Sequence, residues 1–138
     1  MKLQRHDIIG KKLTRILQTS EVMDGWIHFS SHYFVLDSGI SFYFPVNLES
    51  GFVSTQVPQN AEEIIHSRLN EAIGSKIENV YRPKDDEYFE PDEVIILLNT
   101  GLWLWQQSSA PDGVHLGIGI YIEPNKPHND FEMIEYWK

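Results

Sequence analysis

The chain of 138 residues contains no cysteine. That absence excludes disulfides, thiolate metal sites and a cysteine nucleophile together. Long apolar stretches are missing as well. The longest run, Val94 to Leu98, has five residues, whereas a membrane-spanning helix needs about twenty. The opening stretch "MKLQRHDIIGKK" lacks the apolar segment of a secretory signal, so a cytoplasmic protein is expected. Acidic charge is in excess in one half only. Residues 1–60 hold five Lys/Arg against five Asp/Glu, while residues 61–138 hold six against fifteen, which accounts for the whole net charge of −9. No basic stripe exists for phosphate contacts, so nucleic acid is not an expected ligand. An acidic field favours encounter with basic proteins or cations, and it also serves plain solubility.

Signatures of catalysis are absent too. No GxSxG elbow occurs, and Gly113, Gly117 and Gly119 in "GVHLGIGI" do not follow the GxGxxG order. His28 and His32 in "HFSSH" stand four residues apart. On a helix that spacing chelates zinc, but this stretch reads as a strand, where four residues span roughly 13 Å. One ion is then out of reach of both, unless Ser30 and Ser31 form a bulge. No metal and no cofactor are expected.

What is present is a pair of look-alike segments. "IGKKLTRIL" (9–17) is matched by "IGSKIENVY" (73–81), with Gly10 opposite Gly74 and Leu13 opposite Ile77. "YFVLDSGISFYF" (33–44) is matched by "VIILLNTGLWLW", which ends at Trp105. The spacings are 64 and 62 residues. They point either to two similar units sharing one core, covering 9–45 and 73–106, or to convergent strand chemistry. "DSG" and "NTG" read as hairpin turns in which Gly closes the loop with positive φ. Strands are expected near 11–18, 26–36, 40–45, 75–82, 93–98, 102–107 and 115–122. The C-terminal "DFEMIEYWK" is ambiguous between strand and helical turn.

One helix is expected, over 61–73. Asn60 can cap it, Glu63 occupies the capping-box position, and Ala61, Ile64, Ile65, Leu69, Ala72 and Ile73 form one apolar face before Gly74. The expected class is therefore α+β: a single domain with a mainly antiparallel sheet and this helix on one face. Period two places Ser41 and Tyr43 on one face of the first hairpin and Trp103 and Trp105 on the matching face of the second. The helix is the ordinary cover for those tryptophans. A partner or an apolar ligand is the alternative, and Tyr43, Trp103 and Trp105 then line a binding face.

The most distinctive stretch is "RPKDDEYFEPDE" (82–93). Asp85, Asp86, Glu87, Glu90, Asp92 and Glu93 surround Tyr88 and Phe89, between Pro83 and Pro91. It lacks the ligand order of an EF-hand, and clustered exposed acids do not desolvate one another for acid–base work. It reads as a solvated hairpin connection or as a recognition segment. For recognition, the prolines restrict its freedom and the aromatics provide anchors. In this acidic, cysteine-free character the chain resembles bacterial immunity proteins of contact-dependent inhibition and related polymorphic toxin systems. The resemblance implies a non-enzymatic antitoxin that holds a cognate toxin, such as a basic nuclease, in a stoichiometric complex. It also implies that the acids occupy the toxin's phosphate-binding surface. A small-ligand module or an oligomerising domain with an aromatic pocket is the alternative.

Overall fold

Two left-handed glycines set the frame. Gly10 (φ 84°) and Gly74 (φ 92°) adopt a backbone region that costs other residues about 1–2 kcal/mol. Each turns the chain from a short helical segment into a long strand. The helical segments are α1 (Arg5–Ile8) and a 3-10 helix at Arg68–Ala72. The computed structural model describes residues 1–23, 26–44, 46, 51–64, 68–83, 94–108, 118–126 and 133–137.

After Gly10 come β1 (Leu13–Met23), β2 (Trp26–Leu36), β3 (Ser41–Phe44) and β4 (Glu62–Glu63). After Gly74 come β5 (Ile77–Pro83), β6 (Ile95–Leu98), β7 (Trp103–Ser108), β8 (Ile118–Glu123) and β9 (Met133–Glu135). They form two sheets, ordered β3-β2-β1-β4 and β8-β7-β6-β5-β9, in which every neighbouring pair is antiparallel.

The sheets are joined by a reciprocal exchange of backbone bonds. Gly10 N–H donates to the Ile77 carbonyl and Gly74 N–H to the Leu13 carbonyl, both at 2.7 Å. Leu13 N–H donates to Ser75 (2.8 Å) and Ile77 N–H to Lys11 (2.9 Å), with Lys12 and Lys76 forming an antiparallel bridge between them. Each hairpin turn is tied back to this seam by its polar first residue. The Asp37 carboxylate accepts from Lys12 N–H at 3.2 Å, and the Asn99 amide oxygen accepts from Lys76 N–H at 3.0 Å. Every one of these bonds therefore occurs twice, once in each half. One strand irregularity matches as well. The register shifts between Leu13 and Arg15 in β1 and between Ile77 and Asn79 in β5.

Period-two alternation then directs one face of each sheet inward. Ile16, Phe34, Leu36 and Phe42 from the first sheet, and Val80, Ile96, Leu98 and Leu104 from the second, lie in one buried cluster. Phe34 stacks on Phe44 (4.8 Å between centroids), and Phe52 carries the cluster on to Tyr136 and Trp137 near the C-terminus. Burying each large ring contributes a few kcal/mol by area.

The expected α+β class is corrected by this arrangement. No helix spans 61–73, and no well-marked helix packs on a sheet face among the described residues. Glu62 and Glu63 instead form β4 against Leu17 and Gln18, and Ile64 N–H donates to Ile16 at 3.1 Å. The open edge of β1 satisfies backbone groups that a helix would have satisfied locally, and Glu63 pairs with Arg15 rather than closing a capping box. Residues 65–67 lie outside the described residues. Ile64, Leu69 and Ala72 are nonetheless buried while Ile73 is exposed, so part of the apolar pattern was reporting burial and not helix. The ambiguous C-terminal stretch contains β9, and no described helix is long and apolar enough to cross a membrane.

Leu69 lies at the 3-10 helix with its side chain in the shared cluster. Leu69→Asp places an unpaired charge there, at a cost of several kcal/mol. A thermal melt should show the variant unfolded or melting far below the parent.

Candidate functional site

The outward faces of the two sheets are as closely matched as their seam. Across the first sheet, backbone pairing aligns Tyr43, Tyr33, Leu17 and Glu63 in one row, with Ser41, Val35 and Arg15 beside it. Across the second it aligns Trp105, Ile95, Tyr81 and Glu135, with Trp103, Leu97 and Asn79 beside it. Leu17, Tyr33 and Ile95 are buried yet do not belong to the shared core cluster, as outward positions require.

On the second sheet, Trp103 and Trp105 are half-buried, as is Tyr81. Trp103 lies against Tyr81 with 6.0 Å between ring centroids, a tilted contact of the kind worth about 0.5–1.5 kcal/mol. The expected cover, a helix over 61–73, does not exist. On the first sheet, Tyr43 meets Tyr33 edge-on at 5.6 Å. Tyr43 and Trp105 thus occupy matching positions on two different sheets and do not line a common face.

The polar fringe of the second face comes from residues the sequence did not single out. Asn79 Nδ2 donates to the Glu135 carboxylate at 2.9 Å and to the Tyr81 hydroxyl at 3.2 Å, while its own oxygen accepts from Val80 N–H at 2.9 Å. Both amide hydrogens are used, and they fix Tyr81 and Glu135 relative to each other. Glu123, paired across the sheet with Trp103, is held by Arg68 at 2.9 Å. A signal for Asn79 and Tyr81 existed: in the matched strings "IGKKLTRIL" and "IGSKIENVY" they stand where the first segment has Arg15 and Leu17.

No family model, curated protein or solved structure matches the chain.

The acidic candidates Asp85, Asp86, Glu87, Tyr88, Phe89, Glu90, Asp92 and Glu93 lie outside the described residues. The strands on either side of them, β5 and β6, pair antiparallel. The segment therefore joins the two arms of a hairpin. In the first half, the corresponding place is the far end of the β1–β2 hairpin.

His28 and His32 both lie on β2. His28 pairs with Glu21 and His32 with Gln18 in the backbone register, and the pairing skips Ser30 between them. That extra residue interrupts the two-residue alternation. Among the described residues, no group of three His, Asp or Glu side chains could hold a metal ion.

Burial holds the His32 imidazole below its usual pKa of 6.5, because desolvation disfavours the charged form. The sign follows from linkage: the folded state prefers neutral His32. Its contribution is complete above the unfolded pKa and is lost as pH falls through the lower folded value. Melting temperature should therefore drop on acidification below about pH 6.5. His32→Gln should flatten the part of that drop due to this residue, in a comparison of melts from pH 7 to pH 5.

Proposed function

We propose that this protein is a non-enzymatic binding protein of the immunity type, which neutralises a basic protein partner by forming a stoichiometric complex. The observation that carries this reading is the one-sided charge. The fifteen acidic and six basic groups of residues 61–138 belong to the same half of the chain that presents Trp103, Trp105 and Tyr81 on an outward face. A bound basic surface would find carboxylates for attraction and rigid aromatic rings for contact, the composition that binding hot spots favour.

The two elements have different tasks. Long-range attraction from Asp85, Asp86, Glu87 and Glu90 would speed encounter, and short-range contacts would set how long the complex lasts. Tyr88 and Phe89 are anchors at the acidic segment itself, while Trp103 and Tyr81 are anchors on the sheet. A toxin whose own ligand is anionic would be blocked by carboxylates occupying its phosphate-binding surface.

The experiment is a kinetic one, with the protein encoded next to this gene as the probe. Association should slow as salt rises, because exposed charges are screened beyond about 8–10 Å at physiological ionic strength. Replacing Asp85 and Asp86 by Asn, and Glu87 and Glu90 by Gln, should leave the fold intact and lower the on-rate about tenfold. Ala at Tyr88 or Phe89 should raise the off-rate instead. A tetra-amide variant that associates and protects like the parent would remove the acidic segment from the mechanism.

A further inference from the structure

The matched faces differ at one telling position. In the first sheet Arg15 Nε donates to the Glu63 carboxylate at 2.7 Å. In the second sheet the equivalent pair is Asn79 and Glu135 (Leu13 to Ile77 and Arg15 to Asn79 are both shifts of 64). The carboxylate has been kept and its cation replaced by a neutral amide. A carboxylate has about four acceptor sites, and Asn79 fills one of Glu135's. Among the described residues no ion pair supplies Glu135 with a cation, whereas Glu123, on the opposite edge strand of the same sheet, has Arg68. Two further changes surround the same position. Leu17 of the first face becomes Tyr81, whose hydroxyl meets the Asn79 amide at 3.2 Å, and Ser41 becomes Trp103, whose ring lies against that of Tyr81.

We propose that the outward face of the second sheet binds an arginine side chain of the protein partner, its guanidinium paired with Glu135 and laid against Tyr81 and Trp103. The partner's arginine takes the role that Arg15 plays within the first sheet. Guanidinium suits this place better than ammonium. It is planar, it stacks on aromatic rings, and it offers a fork of donors to a carboxylate. Asn79 prepares the site by holding Glu135 and Tyr81 before the ligand arrives, which lowers the ordering cost of binding. The inference rests on the protein-binding reading above, but it concerns different residues from those of the acidic segment.

The test uses the full chain and a short arginine–glycine peptide, with a matched peptide carrying neutral citrulline for each arginine. Two-dimensional NMR follows the indole N–H of Trp103, assigned with Trp103→Phe. The arginine peptide should shift that signal and the citrulline peptide should not. Glu135→Gln should weaken binding about tenfold, equivalent to about 1.4 kcal/mol. Asn79→Arg, which rebuilds the first sheet's ion pair inside the second, should abolish the shift while leaving the melting temperature at or above that of the parent. Glu63→Gln on the other sheet should change the affinity less than twofold. A Trp103 signal that ignores the arginine peptide, or an Asn79→Arg variant that binds it like the parent, overturns the proposal. If signals of residues 85–93 move while Trp103 does not, this site fails and the binding reading survives through the acidic segment. If the natural basic partner does not bind at all, the broader reading fails independently.

Discussion

The reciprocal exchange at Lys12 and Lys76 is the constraint on which the rest of the structure depends. Antiparallel bonds from Gly10 to Ile77 and from Gly74 to Leu13 fix the start of β1 against the start of β5. They work only because both glycines take positive φ. Once the two starts are fixed, period two decides which side chains enter the core. The turn residues Asp37 and Asn99 then lock each hairpin to the same seam. Buried backbone groups need partners, and here each half completes the other.

A seam used twice leaves the outward faces free to differ. The first sheet keeps Arg15 with Glu63 and a tyrosine pair; the second has Asn79 with Glu135 and the contact between Tyr81 and Trp103. The core positions stay apolar in both, since each removed methylene in a packed interior costs stability. Function is therefore sought on the faces and in the hairpin connection, where substitution is cheap in folding terms. The acidic excess of the second half points in the same direction.

Much of this was legible in the residues. The "DSG" and "NTG" turns, and the faces shared by Ser41 with Tyr43 and by Trp103 with Trp105, followed from local rules, and each appears where those rules place it. The helix over 61–73 did not follow. Its apolar spacing was real, but the exposed edge of β1 competed for the backbone of Glu62 to Ile64, and a tertiary partner outweighed local propensity. Cross-sheet neighbours were the other loss. Glu135 is 56 residues from Asn79 and could not be placed beside it without the pairing of β5 with β9. The contrast with Arg15 was visible in the aligned segments, but its meaning depended on knowing that Glu63 pairs with one and Glu135 with the other.

Native-state hydrogen exchange at the seam tests this account most directly. If the reciprocal bonds hold the two halves as one cooperative unit, the amides of Gly10, Leu13, Gly74 and Ile77 exchange only by global unfolding. Their protection then equals that of core amides such as Phe34 and Ile96, and it falls with added denaturant at the same slope. Seam amides that exchange far faster than the core, through local opening with little dependence on denaturant, would contradict it. The halves would then be held by side-chain packing alone.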